Sequence, residues 1–286
     1  MKICYLILAH NNFKHLYRLI SAIDSDNALS FYIHIDKKVK NEYKYHNNKA
    51  VVIPERYDIS WGGYSMIEAT ISLLRFAEAN CSEADYYILI SGVDYPIRSE
   101  QYLQNLLSEK KEFIDIYRTD VDHKPRDRYE YYFFDYDRRN LKFYNPKFLL
   151  EVFLKKIGWK RKAPFKVYSG SQWFALTNAC IKYILETIKS DKRYENFFRH
   201  TLVPDEAFIH TIIANSPFFG NVVKSLVFAD WNVPIPPAII ERRHIDFLEK
   251  NDGFQTTSGY SRPYFARKFD DNSEHIIEEI ESRLRK

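Results

Sequence analysis

The apolar positions of this chain fall into short continuous runs separated by segments of helical period. Ile3-Cys4-Tyr5-Leu6-Ile7-Leu8-Ala9 is apolar throughout, the pattern of a strand buried on both faces. Residues 13–23 follow with Leu16, Leu19, Ile20 and Ile23 on one side of a predicted helix. Phe31-Tyr32-Ile33-His34-Ile35 is a second strand, ending at Asp36-Lys37-Lys38, and Val51-Val52-Ile53 is a short third. After the Gly62-Gly63 turn, Met66, Ala69, Thr70, Leu73, Leu74 and Ala77 share one face of a helix predicted over 65–79. Tyr86-Tyr87-Ile88-Leu89-Ile90 is a fourth strand, closed by Ser91-Gly92-Val93-Asp94.

This alternation predicts an α/β fold with a mostly parallel central sheet and helices on both faces. Polar residues gather where the strands end, at His10-Asn11, Asp36-Lys37-Lys38 and Asp94. In open α/β sheets ligands bind outside the carboxyl ends of the strands, so these groups are expected to face one crevice. Residues 113–165 read differently: rich in Tyr, Phe, Arg, Asp and Lys, weakly periodic and interrupted by Pro125, Pro146 and Pro164. They are expected to form a long loop system over the site. A strand and helix are predicted over 172–188, a short helix over 205–214, an irregular proline-rich stretch over 229–265 and a charged helix over 273–285. No linker divides the chain, so 1–286 reads as a single domain.

Composition narrows the function. Aromatic residues make up 16% of the chain, and aromatic faces line sugar sites as well as cores. The net charge is +4 with both signs interspersed, which argues against a dedicated nucleic-acid binder and suits a small anionic ligand such as a nucleotide diphosphate. Basic clusters stand at Lys155–Lys156, Lys160–Lys162, Arg242–Arg243 and Arg267–Lys268; the ordinary reading of each is a solvated face. Cys4, Cys81 and Cys180 form no pairing pattern, which fits a reducing compartment. The opening apolar run is too short to span a bilayer and runs straight into His10-Asn11-Asn12, so it reads as a strand rather than a signal peptide.

Four segments could carry chemistry. Asp94 lies on a turn after a buried strand, but a lone carboxylate is a poor site for a divalent metal. Glu206, in Val203-Pro204-Asp205-Glu206-Ala207-Phe208, stands at a predicted helix start, where an acid serves either as a base for a hydroxyl nucleophile or simply as a partner of the helix dipole. Tyr168-Ser169-Gly170-Ser171-Gln172-Trp173 offers a small-residue turn for close backbone approach, with Ser171 and Trp173 as candidate acceptor contacts. Arg267-Lys268 can stabilise a leaving diphosphate or be an ordinary surface pair.

Their order is more specific than any one of them. Ala9-His10-Asn11, Tyr32 to Lys38, Ser60-Trp61-Gly62-Gly63-Tyr64-Ser65, Ile90 to Ile97, Tyr168 to Ser171, Pro204-Asp205-Glu206 and Phe265 to Asp270 resemble, in the same sequence, the core-2/I-branching β-1,6-N-acetylglucosaminyltransferase family, which includes peptide O-xylosyltransferases. The segments 113–165 and 229–262 match poorly. The resemblance implies a GT-A-type, Rossmann-like fold, a UDP-sugar donor, a glycan or lipid-linked saccharide acceptor, and inverting displacement with no metal or other cofactor. It divides the domain into a nucleotide-sugar-binding half, 1–112, and an acceptor and catalytic half, 113–286. Glu206 resembles the catalytic base, and Lys268 the lysine of a basic pair on the diphosphate. Arg267 adjoins it, while Arg242 or Arg243 stands nearest to the family's upstream arginine. Ala9, His10, Asn11, Asp36, Lys37, Lys38, Trp61 and Asp94 are implied at the nucleotide-sugar. Lys124, Arg126 and Arg128 resemble acceptor contacts in pattern. The family's membrane anchor and many cysteines are not matched, which implies a bacterial-type, cytoplasmic member; the basic stretch 155–162 is a candidate for peripheral membrane contact. The rival readings are a glycoside hydrolase pairing Asp94 with Glu206, a metal-dependent transferase, and an inactive glycan-binding module.

Overall fold

The computed structural model describes residues 1–40, 47–119, 126–140, 144–256 and 259–286. Its strands are β1 (Ile3–Ala9), β2 (Ala28–Ile35), β3 (Ala50–Val52), β4 (Tyr86–Ser91), β5 (Asp94–Pro96), β6 (Glu112–Ile114), β7 (Tyr117–Arg118), β8 (Tyr168–Ser169), β9 (Phe174–Thr177), β10 (Val222–Val223), β11 (Val227–Ala229), β12 (Phe254–Thr256), β13 (Gly259–Ser261) and β14 (Phe265–Arg267). Its helices are α1 (Phe13–Ile23), α2 (Ser65–Asn80), α3 (Glu100–Ser108), α4 (Asp127–Glu130), α5 (Pro146–Lys156), α6 (Asn178–Ser190), α7 (Lys192–Phe198), α8 (Phe208–Ala214), α9 (Arg242–Lys250) and α10 (Glu274–Arg283).

The main sheet runs β10-β6-β9-β4-β1-β2-β3. The pairs β1–β2, β1–β4 and β2–β3 are parallel, and β9 alone runs against its neighbours. This is the mostly parallel α/β sheet that the alternation predicts. β1 is apolar at every position because both faces of the sheet are covered, and successive side chains serve different layers. Cys4, Leu6 and Leu8 join the core beneath α2, α6 and α8; Ile3, Tyr5, Ile7 and Ala9 join the core beneath α1 and α3. A third apolar cluster packs α9 and α10 against the small sheet β11-β14-β5.

That small sheet positions the site. β4 leads almost at once into β5, so the carboxyl end of the central strand is also the start of a second ladder. β14, from the far end of the chain, pairs antiparallel with β5 and sets Arg267 opposite Asp94. The Phe269 N–H donates to the Val93 carbonyl at 2.8 Å and fastens the end of β14 to the same turn.

Three stretches differ from the sequence expectation. Residues 113–165 contain β7, α4 and α5 rather than loop alone; α5 starts where Asn145 caps the Lys147 and Phe148 amides and Pro146 takes the first position. Residues 229–265 hold α9, whose buried His244, Ile245 and Leu248 lie at helical spacing among charged residues. Glu206 does not open a helix. It ends a 3-10 turn, Pro204–Glu206, set between Val203 at positive φ (52°) and Ala207 at φ −144°, and α8 begins only at Phe208.

Leu6 has no exposed surface and sits in β1, between β4 and β2. Leu6→Ala is expected to cost about 2–5 kcal/mol, the usual range for a buried leucine. Urea denaturation should show a lower midpoint with an unchanged slope.

Candidate active site

The carboxyl ends of β1, β2 and β4 stand side by side. The Asp36 N–H donates to the Ala9 carbonyl (2.9 Å), the Gly92 N–H donates to the Leu8 carbonyl (2.9 Å), and a Cβ on Gly92 would crowd the Ala9 Cβ. His10, Asn11 and Lys37 are exposed there, while Asp36 turns inward and accepts the Lys38 N–H at 2.9 Å. Lys38 Nζ donates to the Ile59 carbonyl (2.6 Å) and pairs with Asp58 (3.1 Å), which ties the strand end to the segment before Trp61. The His10 side chain reaches solvent, yet partial desolvation of its ring against the strand ends holds the imidazole below its ordinary value; Asp36 opposes the shift, and Arg139, Lys268 and Lys38 reinforce it. Arg139, Lys268 and Lys38 therefore lie near enough to act on His10, alongside the opposing Asp36.

Glu206 is held by two neighbouring segments. Arg128 Nη1 donates to Glu206 Oε2 at 2.9 Å, with both side chains partly exposed. The Gly170 N–H donates to the Glu206 carbonyl at 2.7 Å. Gly170 has no alternative in size, because a Cβ there would overlap the Asp115 carbonyl and the His210 ring. Next to it, His210 Nε2 donates to the Ser171 carbonyl at 2.8 Å. On the other side the Val203 N–H donates to the Gly62 carbonyl (2.9 Å), which places the turn bearing Glu206 against Trp61-Gly62-Gly63.

Lys268 follows β14, which is laid against the turn after β4. Its backbone is clamped by the Lys268 N–H donating to the Ala238 carbonyl (3.0 Å) and by the Ile240 N–H donating to the Lys268 carbonyl (2.8 Å). Burial lowers the ammonium pKa, and the positive charges of Arg267 and Arg139 lower it further. Arg267 is mostly buried, its side chain 12% exposed, 3.4 Å from Asp94 and with its guanidinium 4.3 Å from the centre of the Trp173 ring. The Gly170–Trp173 segment, bonded to Glu206 at one end, thus reaches Arg267 through the Trp173 ring, and Trp61, next to Gly62, lies 5.4 Å from the Arg139 guanidinium. Among the described residues, no group of three or more His, Cys, Asp or Glu side chains is placed to hold a metal ion.

The model of the Core-2/I-Branching enzyme family matches residues 3–249. The chain belongs to that family. Among its relatives, mouse Xylosyltransferase 2 is 26% identical over 304 residues, covering 98% of this chain and 33% of its own length. Human Xylosyltransferase 1 is 26% identical over 298 residues, covering 94% of this chain and 29% of its own. The chain therefore spans about a third of the length of the curated relatives it matches. Among solved structures, a 4-diphosphocytidyl-2C-methyl-D-erythritol synthase from Anaerococcus prevotii aligns with 86% of this chain and 93% of its own, at 15% identity and a TM-score of 0.38.

In this Core-2/I-Branching chain, several residues stand elsewhere than the sequence suggested. Asp94 is fully buried: its carboxylate accepts the Ser91 N–H at 2.9 Å and faces Arg267, so it shapes the turn instead of lining the crevice. Trp173 backs Arg267. Arg128, expected at the acceptor, pairs with Glu206. Arg243 bonds Asp230 (3.1 Å) and Glu241 (3.2 Å), and Arg242 approaches Glu279 at 3.7 Å, so both serve the α9–α10 side. Arg126 begins α4. Lys124 lies outside the described residues.

Arg139 is a cation beside Trp61 that the sequence reading did not single out. It sits in the poorly periodic stretch, where no motif marks it. Its position is set by the neighbouring Arg138, which is bonded to buried Glu151 (2.6 and 3.1 Å) and packed 4.3 Å from the Tyr136 ring. Glu151 also accepts the Phe134 N–H and the Tyr136 hydroxyl. This network fixes α5 to the strip that carries Arg139.

Burial pushes the Asp94 carboxyl up from 3.8 to about 6, against the opposing pull of Arg267 and the Ser91 N–H. The folded protein thus binds this proton more tightly than the unfolded chain. The associated stability is fully present below pH 3.8 and is lost as pH rises through about 6, by about 2–3 kcal/mol. The stability of wild type relative to Asp94→Asn, followed by denaturation across pH, should fall over that window and flatten above it.

Proposed function

We propose that this chain is a glycosyltransferase that moves a sugar from a UDP-sugar to a glycan hydroxyl by inverting displacement, without a metal, and that Glu206 is the base. The observation that carries the reading is the cation cluster beside the strand ends. Arg267 and Arg139 both act on Lys268, which follows the strand paired with the turn after β4, where an α/β sheet binds its ligand, and a diphosphate brought there would offset that repulsion. Family membership supports the transferase class, since the relatives are named as xylosyltransferases.

In this reading the donor lies across the ends of β1 and β2, with Trp61 against it. The acceptor hydroxyl gives its proton to Glu206, and its oxygen attacks the anomeric carbon from the face opposite the diphosphate. The bond from that carbon to the diphosphate breaks, and the electron pair leaves on UDP. Lys268 and Arg139 meet the developing negative charge, with Arg267 adding field from behind; such groups act on the charge as it forms and replace a divalent ion in that role. An α-linked donor gives a β-linked product. Arg128 holds the Glu206 carboxylate in place. The paired-carboxylate hydrolase is disfavoured by the burial of Asp94 behind Arg267. N-Acetylglucosamine and xylose are the proposed sugars, with assembly of a surface polysaccharide or glycoconjugate at the cytoplasmic membrane face as the setting.

Release of UDP from UDP-N-acetylglucosamine, UDP-xylose and other UDP-sugars, with EDTA or with Mn²⁺, tests the whole. Turnover of one donor at equal rate in EDTA is expected; strict dependence on Mn²⁺ would defeat the metal-free reading. Glu206→Gln should lower the transfer rate by about 10²–10⁴-fold while leaving donor binding within about twofold. Lys268→Ala should cost about 10²–10³-fold in kcat. Arg139→Ala should weaken both donor binding and turnover, and normal kinetics in that variant would remove it from the site.

A further inference from the structure

Helix α5 is built inside out. Its inward face carries Glu151, which is buried and ion-paired to Arg138, so the helix is held to the body through a polar network. Its outward face is apolar. Leu149 (50% exposed) and Phe153 (56%) lie on the side opposite Glu151, exposed Leu150 and Val152 flank them, and Ile157 continues the stripe just past the helix end. A helix on a water-exposed surface normally shows the reverse arrangement. Aromatic residues bracket the stripe: Tyr144 before the helix is 72% exposed and Trp159 after it is 58% exposed.

The charge around this face is mainly positive. Residues 144–162 contain six Lys and Arg and one carboxylate, a surplus of five, whereas the whole chain carries a surplus of four. Arg161 turns inward to the carbonyls of Phe197 and His200. Lys155 and Lys160 pair with Asp127 and Glu130 on α4. Lys156 and Lys162 are exposed, and no carboxylate among the described residues is paired with either. An exposed apolar stripe flanked by Tyr and Trp and edged with lysine matches the chemistry of the boundary between lipid headgroups and acyl chains, where aromatic rings settle and lysines meet anionic phosphates.

We infer that α5, with Tyr144 and Trp159 at its ends, docks this protein onto an anionic lipid surface. Leu149, Phe153 and Ile157 enter the headgroup boundary, and Lys156 and Lys162 contact lipid phosphates. The Arg138–Glu151 pair links this helix to the strip bearing Arg139, so the docked face and the crevice mouth are joined by one short rigid segment. A second copy of the chain is the competing occupant, but two such faces would bring their lysines together.

Flotation of the purified full chain with phosphatidylcholine vesicles, with and without phosphatidylglycerol, tests the inference. The protein should float with the anionic vesicles and be released by raised salt. Leu149→Gln with Phe153→Gln should weaken partitioning about tenfold for each side chain, the equivalent of about 1.4 kcal/mol apiece. Lys156→Glu with Lys162→Glu should abolish the preference for phosphatidylglycerol. All four positions are exposed, so melting temperatures should match wild type and confirm that the variants are folded. The inference is overturned if wild type floats with neither vesicle, if the apolar variant floats as well as wild type, or if light scattering shows a dimer that the apolar variant converts to monomer.

Discussion

The antiparallel pairing of β5 with β14 is the constraint on which the site depends. β1, β2 and β4 can present their carboxyl ends together without help, because parallel neighbours in one sheet do so by construction. No cation comes with them from β4. The β5–β14 ladder brings the segment around Arg267 and Lys268 across most of the chain's length and lays it on the turn after β4, with Arg267 directly opposite Asp94. α9 and α10 cover the other side of that ladder with an apolar cluster, so the placement rests on buried surface as well as on hydrogen bonds.

Burying charge here is costly, and the structure shows how the cost is shared. Arg267 gives up water for one carboxylate and one aromatic face, and Asp94 has no exposure at all. Desolvation outweighs the attraction within the pair, which is why Asp94 holds its proton to about 6 and the Arg267 pKa is lowered. Lys268 stands beside this pair with its charge under-compensated. A group in that condition is suited to an arriving anion, since the attraction is already oriented and partly desolvated.

The Glu151 network performs a comparable task on the other rim. One buried carboxylate collects Arg138, Tyr136 and the Phe134 amide, and so orders a strip that is otherwise short of apolar anchors. The cost is that α5 is secured by its polar side and must turn its apolar residues outward. Two features that look unrelated, an arginine over Trp61 and an exposed apolar helix, therefore follow from the same buried acid.

Much of the framework was legible in the sequence. Continuous apolar runs marked β1, β2 and β4, the period-3.6 stripe marked α1 and α2, and the Pro204-Asp205-Glu206 and Arg267-Lys268 motifs pointed to the segments that border the crevice. These signals are local, since burial on two faces or one leaves its period in the residues themselves. What only the tertiary structure decided was which polar groups face each other. Nothing in the sequence distinguishes Arg139 from Arg242 or Arg243; the first lies over Trp61 near Lys268, while the others are taken up by Asp230, Glu241 and Glu279. Nor does it show that Asp94 is sealed behind Arg267, that Arg128 meets Glu206, or that α5 faces its apolar side to solvent. Each of these depends on contacts between residues far apart in the chain, and the energy of a charge is set by such neighbours and by its burial rather than by the residues next to it.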